Sequence, residues 1–253
     1  MADGTFLAIR GDDFGMAHAV NLGIVEAFVN GVLTQTTAMA PTGWIREAAR
    51  LAQVHRIPVG MHGTLTSDWD SLGWRPLTPG RSLKSPAGTF YALDREVQAA
   101  VNPAEARTEL LEQARFLTEL GFQLTHVDYH MAVHMPSAYE QVCRGFNLPS
   151  VYDDVTPHLR LSSNTLLSTQ DDKLDWLLDW LDRLAPGYHL LVTHPAVDSD
   201  ELSAMTTPGH PAYPWTAPYR ISDLAVLTNP VVGERIEQRG IRLVALADVP
   251  IEE

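Results

Sequence analysis

Four places in this chain put acids and histidines where chemistry can happen: the adjacent pair Asp12-Asp13, the lone His62, the alternating run His126-Val127-Asp128-Tyr129-His130, and His194. One carboxylate and two histidines are a common ligand set for a catalytic divalent cation, because they leave coordination positions open for water and substrate. Asp13, His62 and His130 are the expected set. Two neighbouring aspartates repel each other, and a cation on one of them relieves that repulsion. The plainer reading of the pair is a solvated turn with one carboxylate capping the next helix, and a single histidine at a strand end is more often a satisfied core residue. It is the joint pattern that favours a site. On a strand, residues two apart share a face, so His126, Asp128 and His130 are expected to point together. His126 and Asp128 would then orient the ligands, while a local set of Asp128, His130 and His134 is the alternative.

Such residues need a frame that gathers distant strand ends. Strand-like and helix-like segments alternate almost throughout. Thr5–Arg10 reads as a strand ending at the aspartates, 20–29 as a helix closed by Asn30-Gly31, and 32–39 as a second strand. A helix is expected from Pro41 to about His55, and a third strand over 57–62 ends on His62. Asn102-Pro103 opens a helix that Gly121 closes, and Leu124–Val133 follows as a strand. The segment 136–145 reads as a helix, 147–164 as one or two short strands, and 171–184 as an amphipathic helix with Leu174, Leu177, Leu178 and Leu181 on one stripe. Tyr188–Thr193 is a strand that runs into His194; a last helix starts at Asn229-Pro230, and 241–247 is the final strand. Repeated strand-then-helix units in 253 residues predict one α/β domain, 1–253, built as an irregular or incomplete (β/α) TIM-like barrel. In such a fold, ligands gather at the carboxyl ends of the strands. Two long loops rich in Pro, 67–87 and 198–218, are expected at the pocket mouth, and Trp69, Trp74, Tyr91, Tyr213 and Trp215 are candidate platforms for a ring-shaped ligand.

Composition narrows the partners. Eighteen basic against 31 acidic residues give a net charge of −13, which argues against a nucleic-acid backbone as partner. The single cysteine, Cys143, excludes an internal disulfide and a cysteine-rich zinc site. No apolar run reaches membrane-spanning length and no leader-like segment opens the chain, so a soluble cytoplasmic protein without membrane contact is expected. A homodimer is left open.

The motifs also occur in a telling order. Gly11-Asp12-Asp13-Phe14-Gly15 comes first, then Gly60-Met61-His62 with Thr64-Leu65-Thr66, then Thr125–His130 with Val133-His134, then Thr193-His194-Pro195. Arg81-Ser82-Leu83, Gly88-Thr89-Phe90, Glu112–Leu117, Arg220 and Asp223-Leu224 fit the same series. With these, the sequence resembles the YdjC family of carbohydrate deacetylases, also called the chitooligosaccharide deacetylase and hopanoid-associated deacetylase family. The resemblance implies a barrel that binds one divalent metal ion, Mg or Zn, and hydrolysis of an N-acetyl group on an amino sugar, a small acetylated sugar being the partner. It implies Asp13, His62 and His130 as metal ligands, Asp12 as catalytic base and His194 as acid. Arg220 would orient Asp12 or pair with a surface acid. The chain departs from the family at His130-Met131-Ala132, where three histidines are usual, at Arg10-Gly11, where Asn-Ala is usual, and at Gly63, which replaces a bulkier residue. Two other readings stay open: a metal-dependent hydrolase of a different amide or ester, and a non-catalytic sugar-binding relative.

Overall fold

A computed structural model describes residues 4–133, 135–166, 172–205 and 216–252. Its elements are β1 (Thr5–Phe14), α1 (His18–Val29), β2 (Gln35–Ala38), α2 (Ile45–His55), β3 (Val59–Gly63), α3 (Asp94–Ala100), α4 (Pro103–Glu119), β4 (Leu124–Tyr129), α5 (Pro136–Phe146), β5 (His158–Leu159), β6 (Ser162–Thr165), α6 (Lys173–Arg183), β7 (Gly187–Thr193), α7 (Asp200–Ala204), α8 (Ala217–Leu227), α9 (Pro230–Gln238), β8 (Arg242–Leu243) and β9 (Ile251–Glu252). The strands form a parallel sheet in the order β4-β3-β2-β1-β7-β6. β8 pairs with the lower half of β1 at Phe6 and Leu7, while β2 pairs with its upper half.

Beyond β4 the wall continues through an irregular segment. Val151 donates its backbone N–H to Val127, and Ser150 bridges to both Val127 and His158. Among the described residues no pairing joins this segment to β6. The result is a curled, incomplete (β/α) TIM-like barrel.

Alternation along β1 explains the layering. Leu7 and Ile9 face outward into the main core, among Val20, Ile24 and Ala27 of α1 and Leu227 of α8. Ala8 faces inward, where it meets Leu190 and Val192 of β7 with Val151, Leu159, Leu246 and Val249 in a smaller cluster that fills the lower barrel. Each such aliphatic side chain contributes about 1.5–3 kcal/mol on burial. Above that cluster the inward positions turn polar: Arg10 and Asp12 on β1, Gln35 and Thr37 on β2, His62 on β3, His126 and Asp128 on β4 are all buried.

Helix starts follow the expected chemistry. Asn102 caps α4 by accepting the Ala104 N–H at 2.8 Å, and Asn229 caps α9 by accepting the Val231 N–H at 3.0 Å, each with Pro at the first position. Other boundaries move. α2 starts at Ile45 rather than Pro41, because the Trp44 N–H is taken by the Gly15 carbonyl and Thr42 bonds back to Met39. β4 stops at Tyr129, and His130–Ala132 is a 3₁₀ turn with Met131 at φ 54°. The final strand shrinks to Arg242–Leu243, followed by a 3₁₀ turn. α3 had no sequence signal: it is seven residues long and buries Val97 alone. Cys143 is buried on α5, where burial pushes its thiol up to about 12. Among the described residues no helix is long and apolar enough to cross a membrane.

Candidate metal centre and pocket

The site begins with a break in β1. Strict alternation would send Asp12 and Asp13 to opposite faces. Instead the register against β2 shifts between Gly11 and Phe14, and Asp13 adopts φ 73°, in the left-handed region. Asp tolerates that conformation better than most residues, and the shift has the geometry of a bulge, which re-aims a side chain. Met16 N–H closes the turn on the Asp13 carbonyl at 3.0 Å. Both carboxylates therefore line one cavity of about 270 Å³.

Three donor atoms from three strand ends then converge. Asp13 Oδ1 lies 3.4 Å from His62 Nε2 and 3.3 Å from His130 Nδ1, and the two ring nitrogens are 3.3 Å apart. Asp13 Oδ1 is buried and makes no hydrogen bond of good geometry among the described residues. The remaining atoms of the trio are tied outward. His62 Nδ1 meets Asp128 Oδ1 at 2.5 Å, His130 Nε2 meets Asp68 Oδ1 at 2.8 Å, and Asp13 Oδ2 accepts from Arg220 Nη2 at 2.7 Å. Each histidine thus has its far nitrogen on a carboxylate and its near nitrogen on the cluster, the arrangement that fixes ring orientation at metal sites.

The electrostatics are those of an anionic cage. Burial pulls the His62 ring down, but Asp128 and Asp13 outweigh it and raise it to about 10. His130 is raised to about 9 by the same contest, with Asp68 the main opposing charge. Asp13 is penalised by burial yet held well below the usual carboxylate range by Arg220 and the two rings. Asp12 sits beside the trio in a different setting: Arg10 Nε and Nη2 fork onto its two oxygens at 2.6 and 2.9 Å, and Thr37 donates to it at 3.0 Å. Burial raises the Asp12 carboxyl and Arg10 more than offsets this, so it lies below its ordinary value.

His194 follows the last residue of β7 and lines the same cavity. Its backbone N–H donates to Asp223 Oδ2 at 2.7 Å, and Asp223 is paired with the buried Lys173. Burial draws the His194 ring down to about 4, so it is neutral near pH 7. Tyr129, Met131 and Tyr152, then Val151, Leu190 and Val192, and finally Ser163 and Thr165 at the open edge complete the wall.

The structure brings together Asp12, Asp13, His62, Asp128, His130, His194 and Arg220. His130 reaches the cluster from the turn after β4, not from the strand itself. Among the described residues the acid that Arg220 pairs with is Asp13, where Asp12 or a surface acid was expected. His126 stands one level down, its ring against Gly60 and bonded to Thr125 Oγ1 at 2.9 Å, so it does not orient a ligand directly. Trp69 and Trp74 are 1 % and 4 % exposed and offer no open ring face. Trp69 instead backs Arg220, with 5.7 Å between the guanidinium carbon and the ring centroid, and Trp74 sets its edge to His130. Tyr91 does not line this cavity. His134, Tyr213 and Trp215 lie outside the described residues, as does the stretch 206–215 of the loop 198–218. Two residues that matter here were not singled out as site residues. Asp68 follows the His62 strand at the head of the first long loop, and Arg10 is a cation on an apolar strand two residues before Asp12, a spacing that places it on the same face.

A family profile described as "YdjC-like protein" matches residues 6–238. The chain belongs to the YdjC-like family. Among curated relatives, a chitooligosaccharide deacetylase of Yersinia enterocolitica is 30% identical, covering 96% of this chain and 98% of its own, and one of Yersinia pestis is 33% identical over the same shares. Of solved structures, a protein of Enterococcus faecalis V583 named for cellobiose-phosphate cleavage superposes with a TM-score of 0.82 at 26% identity, covering 96% of this chain and 98% of that one. A family 4 carbohydrate esterase of Streptomyces lividans in complex with acetate gives a TM-score of 0.55 at 10% identity, with 97% and 94% covered, and so shares the fold.

Proposed function

We propose that this YdjC-like chain is a carbohydrate deacetylase that hydrolyses the N-acetyl group of an amino sugar or short acetylated oligosaccharide, with one divalent cation, Mg or Zn, held by Asp13, His62 and His130. The observation that carries the reading is the triangle of Asp13 Oδ1, His62 Nε2 and His130 Nδ1, with edges of 3.3 to 3.4 Å. Donors about 2.0–2.2 Å from one ion stand roughly 3.0–3.5 Å apart, so the set fits a metal without rearrangement. The buried Asp13 Oδ1 that lacks a good hydrogen bond is the atom such an ion would satisfy. A field strong enough to hold protons on both rings would equally favour a cation in their place. The deacetylase names of the curated relatives support the substrate class.

When bound, the cation would supply Lewis acidity, polarising the acyl carbonyl and acidifying water. Asp12, kept ionised by Arg10, removes a proton from the attacking water. Asp68 and Asp128 hold the two rings at fixed angles through the reaction. His194 is neutral at the start, so the proton it delivers to the departing amine is the one Asp12 took from the water, passed on to the ring, which returns Asp12 to its carboxylate form. The C–N bond breaks, and acetate and the free amino sugar leave.

The test is acetate release from a panel of N-acetylated amino sugars, with and without a chelator. Release that stops with the chelator and returns on adding metal is expected. No release across the panel, or release indifferent to the chelator, would contradict the reading. The panel should also carry larger amides and esters. Val151, Leu190, Val192 and Met131 give the cavity an apolar wall beyond the cluster, and that wall favours a bulkier acyl group as the second reading.

A further inference from the structure

Arg10 is a fully buried cation with three carboxylate contacts. It forks onto both oxygens of Asp12 at 2.6 and 2.9 Å, and its Nη2 also pairs with Asp128. Asp128 in turn reaches His62 Nδ1 at 2.5 Å, so one guanidinium links the proposed base to the carboxylate that orients a ligand histidine. Two overlapping sets of described residues have donors close enough to share a metal ion, Asp13 with His62 and His130, and Asp12 with the same His62 and Asp128, all buried. They differ in what already sits on them. Arg220 takes only Oδ2 of Asp13 and leaves Oδ1 facing the two rings. Arg10 donates to both oxygens of Asp12 and stands in ion-pair contact with Asp128 Oδ2, which makes no hydrogen bond of good geometry among the described residues.

We propose that Arg10 is the built-in cation of the second set. On the metal reading above, its guanidinium takes the position of a second divalent ion and so keeps Asp12 a proton acceptor rather than a metal ligand. The chemistry suits the residue: a guanidinium is planar, permanently charged and matched to carboxylates through paired N–H donors. Two buried carboxylates deprived of it are left without compensation and must find another cation or take up protons.

The test counts metal directly. Wild type, Arg10→Gln and Arg10→Lys are dialysed to equilibrium against buffered zinc and assayed by elemental analysis, with circular dichroism to confirm folding. Wild type is expected to hold one equivalent, Arg10→Gln two, and the double variant Arg10→Gln/Asp12→Asn one again. Arg10→Lys keeps the charge but loses the fork. It should hold one equivalent and lose kcat by roughly 10²-fold, the scale of a misplaced catalytic group, with KM within about twofold of wild type. A folded Arg10→Gln with one equivalent beside a wild type with one would overturn the role of Arg10 while leaving the metal reading intact. A wild type with none would overturn the metal reading itself. Should Arg10→Gln fail to fold, Arg10→Lys decides alone, since turnover at the wild-type rate overturns the proposal.

Discussion

Asp12 and Asp13 are one position apart, yet each is held by a different arginine and faces different neighbours. Asp13 leaves one oxygen to the histidine rings, whereas Asp12 has both oxygens bonded within the protein. Their neutral isosteres should therefore fail differently. Asp12→Asn is expected to keep its metal and lose kcat by about 10²-fold or more, since it cannot accept a proton. Asp13→Asn should lose metal affinity, with excess metal partly restoring activity. Metal content and turnover measured on both variants check this, and the opposite pairing would swap the roles. Asp68 provides a third contrast. Its bond to His130 Nε2 fixes the ring from behind, so Asp68→Asn should weaken metal affinity by about 10- to 100-fold without unfolding the chain; a competition titration against a chelator reads it.

At the scale of elements, the two carboxylates share a pocket because β1 breaks its own period. The alternating acids and histidines were legible in the sequence, and so was the set of strand ends that carries them. The bulge at Asp13 was not, because a left-handed residue leaves no pattern in a run of apolar and acidic side chains. Nor could alternation place His130, which reaches the cluster from a turn after the strand has ended. The platform role expected of Trp69 and Trp74 does not fit their burial for a related reason: loop composition shows that aromatic rings are present, not whether they face the pocket or the core. Packing of α1 makes a further prediction. Gly23 lies against the backbone of Ala196 two residues past His194, and a Cβ there would stand 2.4 Å from Ala196 Cα. Gly23→Ala should destabilise the fold by about 1–3 kcal/mol, as overpacking does, and disturb the loop that carries His194. Denaturant unfolding measures the first effect, and a fall in kcat with unchanged metal content the second.

For the whole molecule, the proposed metal reading would tie the stability of this incomplete barrel, with its net charge of −13, to the ion. An ion that binds the folded chain at a hundred times its dissociation constant stabilises it by about 2.7 kcal/mol, which is roughly 5–10 °C in Tm for a chain of this size. Thermal melts with and without added zinc should show that shift in the wild type and lose it in Asp13→Asn. The most direct test of the account is an anomalous-scattering map from crystals grown with a divalent metal. It predicts one peak, bonded to Asp13, His62 and His130, with Asp12 beside it but still on Arg10. A peak held instead by Asp128 and His134, or one that takes Asp12 as a ligand, would contradict it.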